Sequence, residues 1–279
     1  MPDDESTSFD PIAESFDEWA AHNFPQEIVN PMVDLLAQLA GSGRALELGI
    51  GTGRIALPLA ARGVSVSGIE LSPKMAAKLR EKSGGADIPA AIGDFSSTRV
   101  DGSFSLAYLV ANTLWNLKTQ EKQVACFQNV AAHLEPSGRF LVEMFVPDLQ
   151  GISTGHTIRA FRADAGRLSF DVYDVPRQGL TSVHYSIASG GITAFAPEGR
   201  YVWPAEMDLM AQLAGMKLEN RWGGWKREPF TELSRSHVSV YEKPQATGRP
   251  GVSLPATEFV TAGSGSTDAL GQKARSNQP

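Results

Sequence analysis

The sequence predicts an α/β protein: a doubly wound, mostly parallel sheet carrying an inserted layer of antiparallel β-hairpins. Three observations carry this. Short apolar strands alternate with amphipathic helices from residue 30 to 146. A glycine-rich turn, Gly49-Ile-Gly51-Thr-Gly53, joins the first strand to the helix after it. Beyond Val146 the pattern switches to two-residue alternation. Strand–helix alternation implies parallel pairing through right-handed crossovers, with ligands beyond the carboxyl ends of the strands.

Asn30-Pro31 reads as the start of a helix with Met32, Val33, Leu36 and Leu39 on one face and Gly41 as its stop. Arg44 to Leu48 is a buried strand. Ile55 to Arg62 is helical, ended by Gly63, and Val64 to Ile69 is the second strand. Ser72-Pro73 caps a helix that aligns Met75, Ala76 and Leu79. Ile88 to Ile92 and Phe104 to Val110 are the third and fourth strands. Thr119 caps a helix with Val124, Phe127, Val130, Ala131 and Leu134 at helical spacing, and Pro136-Ser-Gly138 turns into a fifth strand, Phe140 to Val146. Leu168 to Tyr173 and Ser182 to Ile187 alternate as hairpin strands, with Gly190-Gly191 between candidates. Pro204 to Leu213 returns to helix, and His237 to Tyr241 is a last strand. The organisation is thus an N-terminal helical cover (1–43), a nucleotide-type core (44–146), a hairpin layer (147–203), the end of the core (204–244) and a tail (245–279).

Composition sets the outer limits. The chain has 279 residues, 42% hydrophobic and 20% charged, with a net charge of −6. That balance lacks the basic footprint of a nucleic-acid binder. No apolar run reaches the roughly 18–20 residues of a membrane helix, and the acidic start does not read as a secretory signal. The single Cys126 excludes an internal disulfide and fits a reducing, cytoplasmic setting. No His, Asp and Glu grouping has metal-ligand spacing, so no metal is expected. Residues 1–43 hold nine acids and no Lys or Arg; they form either a solvated segment or an acidic cover over a cationic ligand. The tail holds 16 Gly, Pro, Ser or Thr in 35 residues and is expected to be disordered.

The glycine turn lets backbone approach a ligand without obstruction by Cβ. A dinucleotide fingerprint would need a small residue where Arg54 stands, which disfavours a nicotinamide dehydrogenase. Glu70, ending the second strand, can accept both hydroxyls of a ribose. Asp94, ending the third, can accept a proton from an adenine amino group. Each has a bland reading as a solvated strand-end acid; in this order, with the turn, they outline a nucleoside site.

Ala45-Leu-Glu-Leu-Gly-Ile-Gly-Thr-Gly-Arg54, Ile69-Glu-Leu-Ser72, Gly93-Asp-Phe95 and Leu134-Glu-Pro-Ser-Gly-Arg-Phe140 resemble the successive motifs of class I S-adenosylmethionine-dependent methyltransferases. The resemblance spans roughly residues 9–243 and is densest over 44–146. It implies a seven-stranded, Rossmann-like sheet with an antiparallel last strand, and S-adenosyl-L-methionine as cofactor. It places Glu47 as organiser of the turn, Gly49, Gly51 and Gly53 under the methionine moiety, and Glu70 on the ribose. Leu71 and Met75 would pack on the adenine, Asp94 and Phe95 read its edge, and Val110 border the sulfonium. Phe16 and Trp19 would cover the cofactor. Phe16 stands where many relatives carry Tyr, which puts a hydroxyl contact in doubt.

Asn112, Trp115 and Asn116, at the mouth of the sheet, are candidates for orienting and walling an acceptor; the alternative is an Asn-capped turn with a packed Trp. Tyr185, Tyr201 and Trp203, with Trp222 and Trp225, could line an aromatic pocket or belong to the core. His22 and His184 are the candidate bases, while His133 and His237 read as packed and His156 lies in a loop. The expected reaction is methyl transfer to an oxygen or nitrogen of a small molecule, a specialised metabolite being compatible. The expected assembly is a monomer or homodimer, without membrane or nucleic-acid partners. The alternatives are non-methylating chemistry on the same fold, as in a cyclase or lyase, and a peptide or protein acceptor.

Overall fold

The computed structural model describes residues 9–150, 152, 155–188 and 190–245, apart from the side chains of residues 11, 19, 20, 22 and 23. The expected disordered tail lies outside the described residues, save residue 245.

Seven strands form one sheet in the order β11-β12-β5-β4-β1-β2-β3. They are β1 (Arg44–Leu48), β2 (Ser65–Glu70), β3 (Ala90–Ile92), β4 (Phe104–Leu109), β5 (Leu134–Phe145), β11 (Lys217–Trp222) and β12 (Ser236–Glu242). Pairings from β3 through β5 are parallel, whereas β12 runs antiparallel to both β5 and β11. The order reverses at β1/β4, so the crevice beside Gly49 is the switch point at which such sheets bind ligands.

Helices cover both faces. On one, Phe127 and Val130 of α5 (Gln120–His133) and Met207 and Met210 of α6 (Pro204–Leu213) pack on Leu46, Leu109 and Val142. On the other, Val29, Val33 and Leu36 of α2 (Gln26–Ala40), Leu59 of α3 (Ala56–Ala60) and Leu79 of α4 (Pro73–Glu81) pack on Ala45, Val66 and Tyr108. The caps act locally: Ser72 Oγ accepts from Met75 N at 3.1 Å and Thr119 Oγ1 from Lys122 N at 3.2 Å, each contributing about 1 kcal/mol.

Several boundaries differ from the sequence reading. Pro31 does not open α2; the helix begins at Gln26 and Pro31 sits inside it. The amide that proline lacks would have bonded the carbonyl of Glu27, an exposed residue that water can reach, and burial of Val29 at 2% exposure outweighs the loss. Strand β3 starts at Ala90 rather than Ile88. Strand β5 starts at Leu134, and the Pro136-Ser-Gly138 turn is absorbed as an irregularity in its pairing with β4, with Ser137 at φ +65°. Strand β11 escaped the sequence reading because Lys217-Leu-Glu-Asn-Arg-Trp222 shows no apolar face; pairing with β12 holds it.

Residues 158–200 build a second, antiparallel sheet from β6 (Ile158–Ala163), β7 (Arg167–Asp174), β8 (Gly179–Ala188), β9 (Gly191–Phe195) and β10 (Glu198–Arg200). Its register defines two faces. One carries the rows Arg159–Asp171–Ser182, Ser169–His184–Phe195 and Tyr173–Leu180. The other carries Ile158–Val172–Thr181, Ala160–Phe170–Val183, Leu168–Tyr185–Ala194 and Ile187–Ile192. Tyr173 and Leu180 pack with Tyr201 against Trp115, Phe145 and Leu149, so the first face meets the core. Arg200, 5% exposed, fastens the sheet further by donating to Gln123 Oε1 at 2.5 Å, Gln178 Oε1 at 2.7 Å and Glu206 Oε1 at 2.6 Å.

Candidate functional site

The glycine turn leaves β1 with Gly49, Gly51 and Gly53 at φ +71°, +57° and +82°, a region side-chain-bearing residues rarely enter. A Cβ on Gly49 would lie 2.8 Å from Thr113 Cγ2, and one on Gly53 2.3 Å from Leu79 Cδ1. At Gly51 it would lie 3.6 Å from Met75 Cε, an ordinary contact, so only the backbone conformation demands glycine there.

Glu70, at the end of β2, grips this turn. Its Oε2 accepts from Gly51 N at 2.7 Å and its Oε1 from Ser72 N at 2.9 Å. Burial raises its pKa, against the lowering effect of these amides. Glu47 lies beneath the turn, 4% exposed, with Oε2 accepting from the Tyr108 hydroxyl at 2.9 Å; burial pushes its pKa up to about 8. Asp94 Oδ1 accepts from Ser96 N at 2.8 Å, and its Oδ2 faces Lys122 Nζ at 3.4 Å. Phe95 is buried in the core, Met75 is buried on α4, and Leu71, just before that helix, is half-buried.

Arg54 was read from the sequence only as an obstacle to a pyrophosphate. Its guanidinium stacks on Phe24 at 4.1 Å, and its Nε and Nη1 are buried with no hydrogen-bond partner among the described residues. Burial lowers its pKa, while Glu47, Glu143 and Asp17 raise it. Unpaired buried donors of this kind are rare and ask for a partner. A charged residue directly after the glycine turn was the available signal.

The N-terminal segment folds against this site through its acids. Asp10, in a short 3-10 turn (Asp10–Ile12), pairs with Lys74 at 3.9 Å and accepts from Ser72 Oγ. Glu14 pairs with Lys78 at 2.7 Å, and Asp17 of α1 (Phe16–Asn23) with Lys82 at 2.7 Å. The three lysines stand four residues apart, on one face of α4 continued past its end. Three of the nine N-terminal acids are therefore paired with these lysines, although the Glu14 side chain stays 83% exposed. Phe16 meets Phe9 edge-to-face at 6.4 Å. Trp19 and His22 belong to α1, but their side chains lie outside the described residues.

At the mouth of the sheet, Val110 is buried, and Ala111 and Asn112 adopt φ +56° and +60°. Asn112 N donates to Glu143 Oε2 at 3.2 Å, and its Oδ1 accepts from Phe145 N at 2.7 Å. Both groups hold the strand ends, so the side-chain carbonyl is already engaged. Trp115 and Asn116 follow in a 3-10 turn, half-buried, with Trp115 wedged between the core and the second sheet.

The remaining candidates separate. His184 lies on the core-facing side of β8, its ring nitrogens 3.1 Å from Ser182 Oγ and 3.2 Å from Ser169 Oγ; burial lowers its pKa. Tyr185, the next residue, points to the opposite face, away from Tyr173; the two cannot line one pocket from above. Tyr201 is 1% exposed and packs behind Trp115, while Trp203 is 39% exposed at the start of α6. His133 accepts from Val100 N at 3.1 Å, and His237 is fully buried with burial lowering its pKa to about 4. No helix among the described residues is long and apolar enough to cross a membrane.

Comparison with known proteins adds context. Residues 45–138 match the model of a methyltransferase domain family. The cypemycin N-terminal methyltransferase of a Streptomyces species is 27% identical over 239 residues, 82% of this chain and 97% of that protein. The CcbJ methyltransferase from Streptomyces caelestis superposes with a TM-score of 0.77 at 35% identity, over 86% of this chain and 99% of its own. CalS10 from Micromonospora echinaspora, an amino pentose methyltransferase solved with S-adenosylmethionine, shares the fold: TM-score 0.60 at 21% identity, over 77% of this chain and 89% of its own.

Proposed function

Because this chain belongs to the class I S-adenosylmethionine-dependent methyltransferases, we propose that it transfers a methyl group to an amine nitrogen of a small molecule. One observation carries the cofactor half. The carboxylate of Glu70 holds the middle of the glycine turn at Gly51, and Arg54, whose buried Nε and Nη1 have no partner among the described residues, follows the turn directly. A ligand with ribose hydroxyls at one end and an amino-acid carboxylate at the other is what those two groups call for.

When bound, S-adenosylmethionine supplies a methyl group activated by the positive charge on its own sulfur. The chain's task is then to bind, orient and exclude water. In this reading Glu70 holds the ribose, Gly49, Gly51 and Gly53 clear the approach, and Arg54 takes the carboxylate. Leu71, Met75 and Phe95 enclose the adenine, with Asp94 at its edge and Val110 near the reacting carbon. Phe16 would cover the site from α1, drawn down by the pairing of Asp10, Glu14 and Asp17 with α4.

The amine is supported by the relative named an N-terminal methyltransferase and by the polar face that the second sheet turns toward the core. Asp171, half-buried beside Arg159, could meet an ammonium group on that face. His184, whose pKa burial lowers, could accept the proton that an amine must lose before attack. Trp115, Asn116 and Trp203 would bound the acceptor.

Calorimetric titration with S-adenosylmethionine, S-adenosylhomocysteine and NAD tests the cofactor. Micromolar binding of the first two alone is expected, and binding of NAD alone would overturn the reading. Mass spectrometry of amine, alcohol and peptide panels incubated with enzyme and cofactor tests the acceptor; methyl gain on alcohols only would sink the nitrogen assignment.

A further inference from the structure

The second sheet has its polarity inverted. An antiparallel sheet packed on a core by one face ordinarily turns its apolar side inward and its polar side to water. Here the core-facing side carries Arg159, Ser169, Asp171, Ser182 and His184, whereas the outward side is apolar across β6 to β9 except for Asp174 at the end of β7, with Glu198 of β10 beside Thr181. Its residues are open: Ile158 is 62% exposed, Ile187 45%, Ile192 68% and Leu168 38%. Phe170 and Tyr185 tilt together at its centre, rings 6.3 Å apart.

We propose that this outward face is the docking surface for a second copy of the chain, packed sheet on sheet about a two-fold axis. An isologous contact sets a patch against itself, so an unpaired charge at its centre would meet its own like. The two acids of this face, Asp174 and Glu198, lie toward β10, away from the Phe170–Tyr185 centre, and pair with Arg177 and Lys118. Four strands about 4.8 Å apart and six residues of about 3.3 Å rise span roughly 400 Å² in projection. That already matches the largest apolar patches of ordinary monomers, about 300–600 Å². With side-chain relief and a rim it approaches the roughly 800 Å² each partner brings to a standard interface. The rim is charged: Arg162 and Asp164 pair at 2.7 Å at the end of the edge strand β6, and Arg167 begins β7. Charges there oppose strand addition at the edge and leave face-to-face packing as the route. Docking would also brace a sheet whose apolar contact with the core is confined to Tyr173, Leu180 and their neighbours. The inference does not depend on the acceptor assignment.

Sedimentation velocity of the full chain over a concentration series is the test. The wild type is expected to sediment as a dimer of the 29.9 kDa chain. The double variant Ile187→Glu/Ile192→Glu, altering one exposed cross-strand pair, is expected to be monomeric with unchanged circular dichroism. If that variant does not fold, the milder Ile192→Ser should raise the dimer dissociation constant at least tenfold. Leu209→Glu/Leu213→Glu on α6, equally exposed at 59% and 68%, should leave the dimer intact. A wild type that stays monomeric at every concentration overturns the proposal, as does a dimer that survives in the folded sheet variants. A dimer lost on removing residues 247–279 but not on altering the sheet would also overturn it.

Discussion

Asp17 joins three parts of the molecule: its Oδ1 accepts from the Thr52 hydroxyl at 2.5 Å, and its Oδ2 pairs with Lys82 at 2.7 Å. Lys82 in turn donates to the Thr52 carbonyl at 2.8 Å. Helix α1, the glycine turn and the end of α4 thus share one polar junction. Burial alone would raise the Asp17 pKa, but the Lys82 and Thr52 hydrogen bonds and the charges of Lys82 and Lys78 lower it overall. The depressed value means its contribution is complete above the unfolded pKa near 3.8 and is lost only as pH falls below that. Asp17→Asn should therefore cost at most about 1 kcal/mol at neutral pH, being part-exposed, and less at about pH 3, below the unfolded pKa. Urea denaturation at the two pH values checks this; an equal loss at both would contradict it.

Glu47 has the opposite sign. Its buried carboxyl stays protonated up to about pH 8 while an unfolded one ionises near 4.5. The folded chain then binds the extra proton between those values, so this residue makes stability fall as pH rises through that window. Glu47→Gln keeps the shape without the titration and should flatten the slope. Thermal melts from pH 5 to 8 would decide, and an unchanged slope counts against a neutral Glu47.

Arg54 distinguishes one end of the cofactor from the other. Arg54→Gln should weaken S-adenosylmethionine by about 1.5–3 kcal/mol, the usual worth of a hydrogen bond to a charged group. Methylthioadenosine, which lacks the amino-acid carboxylate, should bind the variant and the wild type alike. Equal losses for both ligands would remove Arg54 from that role.

Glu70→Ala should lower the affinity for both ligands by about 1–3 kcal/mol, since each carries the ribose. The variant also strands the Gly51 and Ser72 amides, so a small loss of thermal stability is expected. Calorimetry that found nucleoside binding intact would refute the ribose assignment.

Two glycines of the turn should respond differently. Gly53→Ala places a Cβ 2.3 Å from Leu79 Cδ1 as well as at φ +82°, whereas Gly51→Ala meets only Met75 Cε at 3.6 Å and φ +57°. Gly51→Ala should cost about 1–2 kcal/mol of stability from backbone strain, and Gly53→Ala more. Denaturation midpoints in the reverse order would be incompatible with this packing.

Local chemistry was legible in the sequence. The Ser72 and Thr119 caps and the glycine turn each rest on hydrogen bonds or dihedrals spanning a few residues. Pro31 misled because a helix is held by the face it buries, and Val29 extends that face upstream of the proline. Strand β11 was invisible because its pairing partner, not its own pattern, makes it a strand. The Lys74, Lys78 and Lys82 row was written at helical spacing, but nothing local said that Asp10, Glu14 and Asp17 would meet it.

Sequence alone therefore determined the doubly wound core and the glycine turn, since these follow from periodicity and from residues adjacent in the chain, while the family came from the resemblance of its motifs. Tertiary structure decided the rest. Alternation shows that His184 and Tyr185 point opposite ways, but only the packing of Tyr173 and Leu180 on Trp115 decides which of them faces the core. Burial against Phe24 makes Arg54 a candidate ligand group instead of a solvated charge. Both outcomes depend on contacts between residues far apart in the chain, and such contacts set burial, and with it the cost of an unpaired polar group.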